Sequence, residues 1–335
     1  MLIHPPFYDT DTENSLLAPM FKNHDPRIEI KSFSWKLALF SRYKVLHVHW
    51  LEHLVAAPTI PKSFLKALLS MILLCRVSLS KIIIVNTRHN LIPHSRINNP
   101  LSRMSFHLWE NKTSTEVVMN HYELTSLKPA KYLIPHPIYI IEDFRITEHQ
   151  PSAFIDGEYF IHLGRMDPKR LIIELIQNFG EYVHNSNLLL IGEVPSKEYL
   201  SSILIAANRY SNIFVIPEKL GSIELNSLIR NSSGVIGPLN DYHNSGVLFH
   251  ALSHMKPILT RDNETSRELQ SEIGGSLLNL DPDPCSPSAI LRFISISKHP
   301  IISKEFGIFL AQRQPIIFFQ KHIALYNEIS FREKP

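Results

Sequence analysis

The sequence predicts an α/β protein made of two successive parallel-sheet domains. Three observations carry this expectation. Short runs rich in Ile, Val and Leu alternate with stretches of helical periodicity along most of the chain, the pattern of repeated βαβ units. At 335 residues the chain exceeds the length over which a single hydrophobic core usually keeps growing. Between residues 135 and 157 the alternation stops, and "PHPIYIIEDFRITEHQPSAFIDG" holds three prolines with little periodicity, which reads as a linker. The division is placed inside it, giving domains at 1–145 and 146–311.

Each element follows from its local pattern. In the first half "KVLHVHW" (44–50), "KIIIVNT" (81–87), "TEVVMN" (115–120) and "KYLIP" (131–135) read as buried strands, with helices at 60–77, about 101–110 and about 120–128. In the second half the strands are "YFIHL" (159–163), "NLLLI" (187–191), "NIFVI" (212–216), "SGVIG" (233–237), "KPILT" (256–260) and "GSLLNL" (275–280). Helical patterns fill the gaps, among them "SIELNSLIRN" (222–231), which starts on Ser222 with Glu224 in its first turn. "QPIIFFQKHIALYNEIS" (314–330) closes the chain as an amphipathic helix.

Composition narrows the function class. With 44% hydrophobic and 19% charged residues the chain is an ordinary globular one, not a disordered one. A net charge of +3 gives no support to nucleic-acid binding and suits a mild bias toward an anionic surface or a phosphorylated substrate. Cys75 and Cys285 belong to no metal-ligand spacing and imply no disulfide framework, which fits a reducing compartment. The start "MLIHPPFYDTDTENS" lacks the basic and apolar regions of a signal peptide. The most apolar segment, residues 64–79, is interrupted by Lys66 and Arg76 and is too short to span a bilayer, so a buried helix is expected there, with an amphipathic surface helix with basic ends as the alternative.

In open parallel sheets ligands bind beyond the carboxyl ends of the strands, so the loops leaving the strands are where chemistry is sought. The strand at 159–163 exits into Gly164 and Arg165, and Pro168, Lys169 and Arg170 stand at the mouth of a helix. Cations beside a helix N-terminus suit a phosphorylated ligand, because side chains and dipole act with the same sign. After the strand at 233–237, Asn244, Ser245 and Gly246 open another helix. Gly246 permits close backbone approach, while Ser245 and the free first-turn amides can donate to phosphate oxygens. An ordinary helix cap is the alternative at this turn. Both features lie at strand ends of one domain, which favours a diphosphate site.

"YFIHLGRMDPKR", "NLLLIGEVPSKEYL" and "SGVIGPLNDYHNSGVLFHALSH" together resemble the nucleotide-binding half of GT-B glycosyltransferases. "VLHVHWLEH", "IIIVNTRHNLIPHS" and "YLIPHPIY" look like bacterial exopolysaccharide glycosyltransferases of the xanthan β-mannosyltransferase type. The resemblance implies two Rossmann-like domains facing a central cleft, with 312–335 crossing back onto the acceptor-binding first domain. It implies that Arg165, Lys169, Asn244, Ser245 and Gly246 hold the donor diphosphate, and that Glu218, Lys219 and His250 meet the nucleoside. Glu193 is a further loop carboxylate that could touch the nucleoside. His89 and Glu52 become the candidate catalytic residues, with Asp9 and Glu13 as further candidate bases, and Asn90, His94 and His136 would contact sugar or acceptor. One departure stands out. Many retaining relatives carry two glutamates eight positions apart, where this chain has Tyr242 and His250. Inverting or retaining chemistry therefore stays open.

The implied reaction moves a sugar, mannose from GDP-mannose as the leading reading, onto a glycan or polyprenyl-diphosphate-linked acceptor. The GDP- or UDP-linked donor is a substrate, and no cofactor, metal site or nucleic-acid partner is expected. The eighteen histidines invite a metal reading. However, "HWLEH" has the letters of an inverted zinc motif without the helix that must carry both histidines. The expected location is the cytoplasm, with peripheral contact to the inner membrane. A non-catalytic partner subunit and another sugar-nucleotide enzyme, such as an epimerase, are the rival classes.

Overall fold

The structure, a computed structural model, describes residues 1–6, 16–23, 25–89, 99–125, 130–139, 155–237, 239–240 and 242–332. The chain divides into two compact units, Met1–Pro137 with Pro315–Pro335, and Ile138–Gln314.

The first unit holds six strands, β1 (Leu2–His4), β2 (Lys31–Ser32), β3 (Val45–His49), β4 (Ile83–Thr87), β5 (Thr115–Val118) and β6 (Ala130–Leu133). They form one sheet in the order β2-β1-β3-β4-β5-β6, with every pairing parallel. Parallel strands covered on both faces are almost solidly apolar, and all five β3 residues are buried. Helices α1 (Ala18–Lys22), α2 (Trp35–Phe40), α3 (Leu51–Val55), α4 (Ile60–Leu79) and α5 (Pro100–Lys112) belong to this unit. The start of α5 is set by Pro100 in its first turn and by Asn99, whose side chain accepts from the Ser102 amide.

The second unit holds β7 (Tyr159–Leu163), β8 (Asn187–Ile191), β9 (Ile213–Ile216), β10 (Gly234–Ile236), β11 (Ile258–Arg261) and β12 (Leu278–Asp281). Their order is β12-β11-β10-β7-β8-β9, again all parallel. Seven helices accompany them among the described residues: α6 (Ile172–Tyr182), α7 (Lys197–Ala207), α8 (Ser222–Asn231), α9 (Gly246–Ser253), α10 (Glu264–Glu272), α11 (Pro287–Ser297) and α12 (Lys304–Gln312). The last helix, α13 (Pro315–Arg332), returns to the first unit. There Phe318, Phe319 and Tyr326 share a core with Ile3, Val45, Val85 and Val117. Burying three aromatic side chains, at roughly 25 cal/mol per Å2 of apolar surface, fixes this helix to the sheet.

The structure differs from the sequence expectations in three places. The helix expected at 120–128 is a 3-10 turn over His121–Thr125, with 126–129 outside the described residues. Pro129 follows closely and β6 begins at Ala130, so no room remains for a full helix. Strands β1 and β2 were not expected, being three and two residues long. Helix α4, expected to be buried, leaves Phe64, Leu65, Leu68, Ile72 and Leu79 exposed, because Ser63, Ala67 and Ser70 form part of its inner face. Of the segment at 135–157, residues 135–139 and 155–157 are described.

Candidate functional site

Strand order locates the ligand end of each sheet. In the second unit the connection from β7 runs outward to β8, and that from β10 runs the opposite way to β11. Neighbouring strands whose connections diverge form a topological switch point, where open α/β sheets bind ligands. The two loops leaving this point are Gly164–Leu171 and the segment from Gly237 to Ser245.

These loops meet. A methyl group on Gly164 would lie 3.7 Å from Val247 Cγ2, in the first turn of α9, and 3.7 Å from Arg170 Nη1. The β7 loop is pinned from behind by the β8 loop. The Met166 amide donates to the Glu193 carbonyl at 2.9 Å, and a Cβ on Gly192 would fall 1.9 Å from the Gly164 carbonyl oxygen. Only a residue without a side chain fits at 192. Asp167 accepts from the Lys169 amide at 3.1 Å and caps a 3-10 turn, Pro168–Arg170, which brings Arg170 back toward Gly164. Arg165 and Lys169 are exposed at the same loop.

Helix α9 opens with its capping requirement unmet. Ser245 is its N-cap residue, yet its side chain caps no amide. The Leu248 amide donates to the Ser245 carbonyl at 3.1 Å, while the Ser245 hydroxyl caps no amide, and the dipole favours an anion at this helix mouth. Gly246 is required here by a neighbour: a Cβ would stand 2.7 Å from the Tyr139 hydroxyl. Burial pushes the Tyr139 phenol up to about 12, so it is a neutral donor at this helix mouth.

The two α9 histidines have a structural explanation. His250 Nε2 donates to Asn226 Oδ1 at 2.7 Å and His254 Nε2 donates to the same oxygen at 3.0 Å. Burial lowers His250 to about 4 and His254 to about 3, so both imidazoles are neutral. The Tyr139 ring lies 4.9 Å from that of His250, centroid to centroid. Elsewhere in this unit Glu218 and Lys219 are exposed just after β9, and Glu193 is exposed after β8. Beneath the β7 and β10 ends, His162 Nδ1 donates to the Ile236 carbonyl at 2.8 Å. Burial, reinforced by the Arg170 charge, lowers His162 to about 4.

In the first unit the switch point lies between β1 and β3, because β1 connects to β2 and β3 to β4 on the other side. His4 ends β1 and His49 ends β3. Trp50 follows in the left-handed region (φ 53), a sparsely populated conformation for such a residue, and stacks on His89 with centroids 3.9 Å apart. His89, just beyond β4, is buried, and its Nε2 lies 2.9 Å from His49 Nδ1. The other His49 nitrogen is buried with no hydrogen-bond partner among the described residues. A bare buried lone pair costs less than an orphaned N–H, so His49 donates from Nδ1 and His89 accepts at Nε2.

His47 lies behind this pair, its ring 4.3 Å from that of His49. Its Nδ1 is 2.5 Å from the Tyr326 hydroxyl on α13, and its Nε2 is 2.7 Å from the Thr87 hydroxyl. Burial holds His47 and His49 well below the usual imidazole range. Glu52, in the first turn of α3, is buried, and its Oε1 has no hydrogen-bond partner among the described residues. His136 is buried and donates from Nδ1 to the Pro137 carbonyl at 2.7 Å. Asn90 and His94 lie outside the described residues, as do Asp9 and Glu13.

The structure thus brings together Arg165, Lys169, Ser245 and Gly246 around one switch point, and His49, Trp50, Glu52 and His89 at strand ends of the other sheet. Sequence reasoning missed Tyr139, Asn226 and the His49 partner of His89. Arg170 was legible in the basic loop, and the structure brings it back toward Gly164. The others depend on contacts between segments far apart in sequence.

No family model matches the chain. Over 266 residues it is 25% identical to a GDP-mannose:glycolipid 4-beta-D-mannosyltransferase of Xanthomonas campestris pv. campestris, covering 78% of this chain and 73% of that protein. A second protein of that name from the same organism is 26% identical over the same span. Among solved structures, Anabaena HepE in complex with UDP and glucose superimposes with a TM-score of 0.68 and 12% identity, covering 98% of this chain and 99% of that one. A sucrose-phosphate synthase of Thermosynechococcus elongatus gives a TM-score of 0.61 and 14% identity, covering 87% of this chain and 75% of that one. The two parallel six-stranded sheets and the returning terminal helix are those of the GT-B fold.

Proposed function

We propose that this chain, a glycosyltransferase with the GT-B fold, transfers mannose from GDP-mannose to a lipid-linked glycan acceptor in exopolysaccharide assembly. The observation that carries the donor half is the switch point of the second sheet. There the Gly164 loop and the uncapped start of α9 stand in van der Waals reach. The sugar and base come from the sequence relatives, which are GDP-mannose enzymes acting on a glycolipid.

The diphosphate sits at the α9 amides, with Ser245 Oγ donating and Arg165, Lys169 and Arg170 neutralising charge as it develops on the leaving group. Asn244 borders the same helix mouth. Glu218 and Lys219 read the nucleoside, and His250 keeps a structural role on Asn226 while its face flanks the ribose. A β-linked product from an α-linked donor needs a single inversion. The acceptor oxygen attacks the anomeric carbon, the bond to the phosphate oxygen breaks, and the acceptor proton passes to a base. Glu52 is that base, because its buried Oε1 has no hydrogen-bond partner among the described residues, while His89, paired with His49, serves a sugar or acceptor oxygen. Asn90, His94 and His136 line the acceptor. The reaction draws on no cofactor and no protein-held metal, so chelation with EDTA leaves turnover intact. The enzyme works in the cytoplasm, peripherally on the inner membrane.

A panel of GDP, UDP and their sugars tests this reading by thermal shift and nucleotide release. GDP and GDP-mannose should stabilise the fold most, because a ligand that binds only the native state raises its stability. Stabilisation by UDP-sugars alone would contradict the donor assignment.

A further inference from the structure

The first half of helix α4 is built inside out. Its buried face toward α5 carries small and polar side chains. Ser63 Oγ lies 3.1 Å from Ser102 Oγ, Ser70 Oγ lies 2.6 Å from Ser105 Oγ, and Asn99 Nδ2 donates to Ser63 Oγ at 3.0 Å. Ala67, on the same face, is fully buried. Toward the end of the helix Leu73, Leu74 and Val77 are buried in the core, but a row of large apolar side chains points the other way. Ile60, Phe64, Leu68 and Ile72 recur every four residues and are 67%, 55%, 44% and 49% exposed, and Leu65 beside them is 56% exposed. On α5, Met104 and Leu108 continue the pattern and are also exposed. A water-facing helix normally has the opposite arrangement, and a contiguous exposed apolar stripe marks an interaction surface.

Charge identifies the partner. From His53 to Trp109 the sequence contains no Asp or Glu, while Lys62, Lys66, Arg76, Lys81, Arg88, Arg96 and Arg103 fall within it. Lys62, Lys81 and Arg103 are exposed beside the stripe. Lys66 and Arg76 donate to backbone carbonyls at its base, on His53 and on Ala38 respectively. No helix among the described residues is long and apolar enough to cross a membrane. An apolar stripe bordered by cations, with the exposed Glu110 confined to the last turn of α5, matches the interfacial zone of an anionic bilayer, into which such a helix sinks along its length.

We propose that the outer face of α4, extended by α5, docks the enzyme flat on an anionic lipid surface. The docking deepens the lipid-linked acceptor reading and rests on it for its purpose, since it carries the first unit to where such an acceptor resides. Flotation of the full chain with phosphatidylcholine–phosphatidylglycerol vesicles tests it. The wild type should float at low salt, float less with phosphatidylcholine alone, and be released by added salt. A variant with Phe64→Ser, Leu68→Ser and Ile72→Ser should lose at least about tenfold in vesicle partition. These side chains are exposed, so its melting and its stabilisation by GDP in vesicle-free buffer should match wild type, which keeps failure of docking separate from failure of the donor reading. Wild type that stays with the soluble fraction, or a variant that floats like wild type, overturns the proposal. So does a wild-type dimer that the three serines convert to a monomer, because a second copy would then own the face.

Discussion

At the scale of single residues, the outcome for the histidines shows how a hydrogen bond decides between readings. His250 and His254 sit one turn apart on α9, a spacing that suits a metal as well as a packed helix. The Asn226 oxygen accepts a hydrogen bond from each, which makes both Nε2–H donors, and burial keeps both neutral. Asn226→Ala leaves two buried N–H groups without an acceptor and should cost about 1–3 kcal/mol, read as a lower urea midpoint. Glu52 makes the opposite kind of case, since its unpartnered oxygen is of use only when a proton arrives. Glu52→Gln should lower kcat roughly 100- to 10,000-fold while GDP binding stays unchanged. A variant that keeps full turnover would remove Glu52 from the chemistry.

At the scale of elements, the strands were legible because parallel strands covered on both faces are written in Ile, Val and Leu, as in "KIIIVNT" and "NLLLI". The first-unit switch point was not legible. It depends on β1, a three-residue strand, and on β2, whose two residues are a lysine and a serine at the sheet edge. Short edge strands bury too little to leave a hydrophobic signature. The donor loop was legible as a cluster of cations, but its geometry was not. The approach of Arg170 to Gly164 depends on the Asp167-capped 3-10 turn, and the position of the loop depends on Gly192. Gly192→Ala puts a methyl group on the Gly164 carbonyl and forces the β7 and β8 loops apart. GDP affinity should fall at least about tenfold by calorimetry, with a lower melting temperature, and an unaffected affinity would show that the loop position is immaterial to the donor.

At the scale of the whole molecule, burial of histidines writes a pH dependence into stability. His4, His47, His49, His162, His250, His254 and His322 all lie below the usual imidazole value of 6.5, with burial the largest cause at each. The unfolded chain binds protons at these sites near pH 6.5 and the folded chain only near 3 to 4 where a value is defined. Stability from these groups is therefore complete above about pH 6.5 and is lost as pH falls through the interval below it, by at most about 1.4 kcal/mol per pH unit for each site. Urea midpoints should be flat from neutral pH upward and decline steeply toward pH 4, and a flat profile across that acid range would show that the sites are open to solvent.

The central claim is that the donor diphosphate is held at the switch point between β7 and β10. Calorimetric titration of GDP into the wild type and into Arg165→Ala/Lys169→Ala tests it most directly. The wild type should bind one GDP per chain, and the double variant, with unchanged melting, should bind at least about 100-fold more weakly, as expected for two lost charge-assisted contacts. Equal affinity in the two proteins would contradict the site.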